Sequence, residues 1–151
     1  MDRKYYLAVD IGASSGRHML SYMEDGKMVL EEVYRFPNGM TEKQGHKIWD
    51  IEQLFCEILT GMQKCASIGK IPYSMGIDTW AVDYVLLDEF DNRIGDAFAY
   101  RDKRTNGMDK KVYEIIEEEQ LYARTGIQKQ IFNTIYQLMT VKEQMPERFE
   151  N

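Results

Sequence analysis

Apolar positions along this chain alternate, then recur at three- and four-residue steps, then shorten again, and each change of spacing marks an element. Tyr5-Tyr6-Leu7-Ala8-Val9-Asp10-Ile11 is short and rich in β-formers, so it reads as a buried strand. Gly12-Ala13-Ser14-Ser15-Gly16 reads as a turn of small residues. A second strand follows over 17–23. Asp25-Gly26 signals a hairpin, and a third strand runs over 27–36 with Met28, Leu30 and Val33 among its apolar positions. Residues 37–45 read as a loop. Ile51, Leu54, Phe55, Ile58, Leu59, Met62, Cys65 and Ala66 then form one face of a helix. Asp50 is its expected N-cap, Gln53 the capping-box partner and Gly69 the stop.

Ser74-Met75-Gly76-Ile77-Asp78 is expected to be a central strand on its apolar content. Tyr84-Val85-Leu86-Leu87 is another, with a turn at Asp91-Asn92 and a short extended piece over 97–100. A weaker helix spans 108–118, a helical turn 121–125 is closed by Gly126, and a last helix spans 134–145 before Pro146. Three hairpin-linked strands, a crossover helix, further strands and then helices predict an α/β fold, a mixed sheet with helices packed on it. No repeat, low-complexity segment or linker interrupts it, so residues 1–151 read as one domain's worth of chain.

Composition narrows the class of partner. Apolar residues at 44% and charged residues at 29% are those of a globular protein. A net charge of −6 argues against a nucleic-acid phosphate backbone as partner. No apolar run approaches the roughly 20 residues that span a bilayer, and the apolar start is cut at Asp10, too early for a secretory signal. These features predict a cytoplasmic protein. Cys56 and Cys65 lie nine positions apart on one predicted helix. That places them about 13 Å apart on opposite sides, too far for a disulfide or a shared metal. His18 and His46 have no partner at ligand spacing.

Three clusters could carry chemistry. Asp10-Ile11-Gly12-Ala13-Ser14-Ser15-Gly16-Arg17 suits a polyphosphate. Gly12 and Gly16 would bring backbone N–H groups to an anion, and Ser14 and Ser15 add hydroxyls. Arg17 adds a positive fork. Asp10 then makes sense as a magnesium ligand through water. It is neither a Walker loop nor a GxGxxG motif, and a plain capped hairpin turn is the alternative. Asp78, Trp80, Ala81 and Asp83 at the next strand end suit a sugar, whose hydroxyls carboxylates accept and whose C–H face an indole covers. The alternative is a core tryptophan between turn aspartates. Tyr100-Arg101-Asp102-Lys103-Arg104-Thr105 reads as an internal ion-pair network, and Glu117-Glu118-Glu119 as a solvated helix end.

Together these segments resemble the N-terminal part of an FGGY-family carbohydrate kinase, closest to the branch that phosphorylates L-rhamnulose. The likeness is carried by the 9–17 motif, Arg35-Phe36-Pro37-Asn38-Gly39, Trp49-Asp50, Gly76-Ile77-Asp78-Thr79-Trp80, 82–88, Tyr100-Arg101-Asp102 with Arg104-Thr105, Thr125-Gly126-Ile127-Gln128 and Phe132-Asn133-Thr134. It implies a ribonuclease-H-like, actin-type fold and transfer of the γ-phosphoryl of MgATP to the 1-hydroxyl of L-rhamnulose. Carried over, Asp10, Gly12, Ala13, Ser14, Ser15, Gly16 and Arg17 would hold nucleotide phosphates and Mg²⁺. Asp78, Trp80, Ala81 and Asp83 would line the sugar. The family usually has Gly where this chain has Ala81, whose methyl would crowd the sugar. Family members are several times longer, and their general-base Asp lies beyond the position of Asn151. The resemblance therefore predicts an incomplete lobe that is inactive by itself and self-associates through uncovered surface. Two other readings stand beside it: a non-catalytic sugar- or nucleotide-binding module of actin type, and a kinase of the same family acting on another ketose.

Overall fold

The computed structural model describes residues 3–149. Its strands are β1 (Tyr5–Ile11), β2 (Ser15–Glu24), β3 (Lys27–Pro37), β4 (Met40–Lys43), β5 (His46–Trp49), β6 (Pro72–Thr79), β7 (Leu86–Leu87), β8 (Arg93–Ile94) and β9 (Ala97–Phe98). Its helices are α1 (Ile51–Ser67), α2 (Met108–Tyr113), α3 (Glu118–Thr125) and α4 (Thr134–Gln144), with short 3₁₀ turns at Lys103–Thr105 and Pro146–Phe149. The chain forms two compact units. One comprises the residues up to Gly39 with Asp50–Ala81; the other comprises Met40–Trp49 with the chain from Val82 onward.

The first unit is a sheet of order β3-β2-β1-β6 with α1 packed on it. Neighbours are antiparallel except β1 and β6, which run parallel on either side of the α1 crossover. Strand alternation sends Leu7, Val9 and Ile11 of β1 to the core, with Leu20, Phe36 and Cys65. Burying side chains of this size contributes about 1.5–3 kcal/mol each. Asp10 and Arg17 are thereby sent to the opposite face.

Asp25 and Gly26 both adopt positive φ, 49° and 75°, and close the expected hairpin. In β3 the register slips: His18 pairs with Tyr34 but Met19 pairs with Glu32, leaving Val33 as a bulge. Below the bulge the faces exchange, so Met28 and Leu30 point away from the core and are exposed. Asp50 caps α1 by accepting from the Gln53 amide at 2.9 Å. Only half of the capping box forms, because the Gln53 side chain donates to Glu57 instead. Cys65 is buried and Cys56 exposed, both as free thiols.

β6 is not central. It lies at the edge of this sheet, with Tyr73, Met75 and Ile77 exposed. Its apolar content suits burial on both faces, but among the described residues no strand pairs with its outer edge. Phe55, Leu59 and Met62 of α1 are exposed as well.

The second unit contains the sheet β4-β5-β9, the β7–β8 hairpin and the remaining helices. Its core holds Trp49, Ala97, Phe98, Val112, Tyr136 and Val141. The expected loop over 37–45 is in part a strand: β4 turns through Gln44 and Gly45, at φ 52° and 83°, into β5. The helix expected over 108–118 stops at Tyr113, and the acidic run begins α3, with Glu117 as N-cap and Glu118 and Glu119 in its first turn. Carboxylates are favoured there by the helix dipole. Among the described residues no helix is long and apolar enough to cross a membrane.

Candidate functional site

The bend between β1 and β2 is tight because Gly12 N donates to Ser15 O at 2.9 Å. Asn38 fastens it from β3's end, giving its amide to Ser14 O at 3.0 Å and its Nδ2 to Gly12 O at 2.8 Å. The amides at the tip, Ala13 and Ser14, donate to no carbonyl, and these residues are half-buried and exposed respectively. The bend thus carries two backbone N–H groups that no carbonyl engages, the type of donor that an anion can accept. Gly12 suits the bend, since a Cβ would lie 3.2 Å from Ser15 O. At Gly16 a Cβ would sit 2.1 Å from the Phe36 ring, so packing by itself already calls for glycine there.

Beside the bend, one row of side chains crosses the sheet. Asp78 of β6 pairs in register with Asp10 of β1, Asp10 with Arg17 of β2, and Arg17 with Arg35 of β3. Directly opposed residues share a face, so two carboxylates and two guanidiniums line up on the side away from the core. Arg17 donates to Asp10 Oδ2 from Nε at 2.8 Å and lies 2.7 Å from it at Nη2. Arg35 is held by Glu32, at 3.0 and 2.5 Å. That pairing holds the Glu32 carboxyl below the ordinary carboxylate range. Arg35 escaped the sequence reading because only register across three strands reveals the row.

The sugar-type residues divide. Trp80 is half-buried and packs against the core of the first unit, so part of its indole is committed there. Ala81 is exposed. Asp83 belongs to the second unit, where Oδ2 accepts from Trp49 Nε1 at 2.6 Å and Oδ1 from Gln137 Nε2 at 3.4 Å. Val82 is in the left-handed region at φ 71°, unusual for a β-branched residue. Its carbonyl accepts from Thr134 Oγ1 at 3.1 Å and Gln137 Nε2 at 3.2 Å, which holds the strained residue in place. No sequence signal marks such a φ.

Among the described residues no ion pair joins Asp102 to Arg101, Lys103 or Arg104. Asp102 instead caps the 3₁₀ turn at Arg104 N and accepts from Lys47 N at 2.7 Å and His46 Nδ1 at 3.1 Å. Burial alone would raise this carboxyl; the amides of Lys47 and Arg104 and the His46 ring outweigh it and hold it below its usual range. His46 thus has a partner 56 positions away, beyond any local spacing. Thr125, Ile127, Asn133 and Thr134 share a cavity of about 490 Å³ with Tyr113 and Tyr122 in the second unit.

Among the described residues no three His, Cys, Asp or Glu gather into a protein-only metal site. Magnesium does not need one, because it is commonly held by one or two carboxylates plus water and substrate phosphate. Asp10 and Asp78, adjacent and next to open amides, fit that donor set.

Residues 5–151 match the model of the FGGY family of carbohydrate kinases, N-terminal domain. The chain is 51% identical over 144 residues to a rhamnulokinase of Oceanobacillus iheyensis, covering 95% of this chain and 31% of that protein. It is 53% identical over 146 residues to a rhamnulokinase of Halalkalibacterium halodurans, covering 97% of this chain and 31% of that protein. Among solved structures, a gluconate kinase from Lactobacillus acidophilus superposes with a TM-score of 0.82 at 17% identity, over 99% of this chain and 30% of that one. A ligand-bound xylulose kinase from the same species gives 0.80 at 18% identity, over 98% and 30%. The latter two show the shared fold. The chain belongs to the FGGY family of carbohydrate kinases, and it spans about 31% of the length of the curated relatives it matches.

Proposed function

We propose that this FGGY-family chain supplies the phosphate-holding bend and part of the sugar site of a kinase that phosphorylates L-rhamnulose. In the reaction, the sugar's 1-hydroxyl oxygen bonds to the γ-phosphorus of ATP, the bond to the β–γ bridging oxygen breaks, and ADP, sugar 1-phosphate and a proton result. The observation that carries this reading is the pair of unengaged amides, Ala13 and Ser14, beside Asp10 and Arg17.

The Ala13 and Ser14 amides and the Ser14 and Ser15 hydroxyls donate to phosphate oxygens. Arg17 exchanges Asp10 for phosphate, at small cost, because an exposed ion pair contributes only up to about 1 kcal/mol. Asp10, with Asp78 beside it, would hold Mg²⁺ through water. Magnesium, when bound, neutralises phosphate charge. Asn38 and Gly12 keep the bend in shape. On the sugar side, Trp80 and Ala81 offer apolar contact. Asp78 and Asp83 accept from hydroxyls, Asp83 being held in place by Trp49 Nε1. The identity to rhamnulokinases supports L-rhamnulose as the substrate.

A chimera tests this directly. Residues 5–151 replace the matching segment of the Bacillus subtilis rhamnulokinase, a 48% identical relative. Turnover of L-rhamnulose with MgATP is expected, and Asp10→Asn in that chimera is expected to lower kcat/KM by about a hundredfold or more. A folded chimera that phosphorylates a different ketose and not L-rhamnulose overturns the substrate. Full activity with Asp10→Asn overturns the site.

A further inference from the structure

Arg104, in the 3₁₀ turn Lys103–Thr105, is only 8% exposed. Its Nη2 donates to Gln137 Oε1 at 2.8 Å, but Nε and Nη1 are buried without a partner. No carboxylate among the described residues lies within ion-pair distance of it. A guanidinium does not shed its proton to relieve burial, so the charge stays and lacks a counter-ion. The Phe98 ring, 4.2 Å from Cζ, compensates only in part.

A second guanidinium adds to the excess. Arg148 lies 5.6 Å from the centroid of the same ring and forms no ion pair among the described residues. It is packed into place: Gly95 stands at φ 73°, and the space its Cβ would take is filled by the Arg148 guanidinium, with Nη2 2.6 Å away. Arg104, Arg148, Phe98 and Tyr84 line one small cavity, with about 10 Å³ open to the centre of a small occupant. The Tyr84 hydroxyl is also buried and unpartnered. Asp96 shares the wall, but Lys43 Nζ at 2.9 Å already neutralises it. The unpartnered side-chain groups on this wall, Arg104 Nε and Nη1 and the Tyr84 hydroxyl, can all donate. A water there must donate as well as accept and carries no charge to balance two cations; a monatomic anion only accepts and does balance them.

We propose that this cavity is a structural halide site, taking one chloride-sized anion as the counter-ion of Arg104 and Arg148. The ion ties the Lys103–Thr105 turn to the β8–β9 connection and the Pro146–Phe149 turn.

Thermal unfolding of the purified chain is followed at constant ionic strength while methanesulfonate, too large for the cavity, is replaced by chloride or bromide. A ligand that binds only the folded state raises the midpoint by a constant increment per tenfold rise in concentration above its Kd. That rise is expected with both halides, and Arg148→Ala, on the accessible side, is expected to reduce it by at least half. Crystals soaked in bromide are expected to show an anomalous peak between the two guanidiniums. Superimposable curves in halide and methanesulfonate overturn the proposal. So does an undiminished halide effect in Arg148→Ala, or a cavity without bromide.

Discussion

Arg17 and Asp10 show how much one residue's meaning depends on its neighbour. Each was expected to face a ligand, the cation a phosphate and the carboxylate a magnesium ion. The register across β1 and β2 sets them directly opposite, and with no ligand between them they pair with each other. His18 shows the reverse, a polar residue with almost no relief. It is fully buried, its Nε2 reaches only Ile58 O at 3.2 Å, and its Nδ1 has no partner. Burial pushes its pKa below the ordinary 6.5, and the Ile58 carbonyl and Glu57 recover part of that. Below about pH 6.5 the unfolded chain therefore binds a proton that the folded chain refuses, so stability falls as pH falls. Denaturant unfolding between pH 7 and 5 is expected to show this slope, and His18→Gln is expected to flatten it. An unchanged slope in the variant would assign the loss to other groups.

At the scale of elements, Gly16 and Gly61 record two close approaches. A Cβ on Gly16 would meet the Phe36 ring at 2.1 Å, and one on Gly61 would meet the His18 ring at 2.2 Å, so the Phe36 ring of β3 lies over Gly16 and α1 closes on His18 of β2 at Gly61. Gly16→Ala is expected to destabilise the chain by about 1–3 kcal/mol through overpacking. Phe36→Leu in the same chain is expected to recover part of that, measured as unfolding midpoints in a double-mutant cycle. Additive losses would mean that the two residues do not press on each other. Elements with a strong local signal were legible: β1, the Asp25-Gly26 hairpin and α1 with its Asp50 cap lie where periodicity and capping chemistry put them. What failed depended on distant partners. The Val33 bulge reverses the faces of β3, four-residue β4 looks like loop because it is polar, and β6 looks central by composition although it lies at an edge. The 12–16 bend was legible as a site candidate, but the Asp78–Asp10–Arg17–Arg35 row emerges only from pairing across four strands.

For the whole molecule, the first unit keeps its core on one face of the sheet and its charged row on the other. The outer edge of β6, unpaired among the described residues and with Tyr73, Met75 and Ile77 exposed, is the type of edge that recruits another strand. The proposed phosphate contacts converge on the small bend at the end of β1. NMR of the ¹⁵N-labelled chain titrated with MgATP tests that bend most directly. The account predicts saturable shifts of the Ala13 and Ser14 amide resonances, with the turns at Asp25-Gly26 and Gln44-Gly45 unmoved and the response weakened by Asp10→Asn. Ala13 and Ser14 resonances that stay fixed at saturating nucleotide would contradict it.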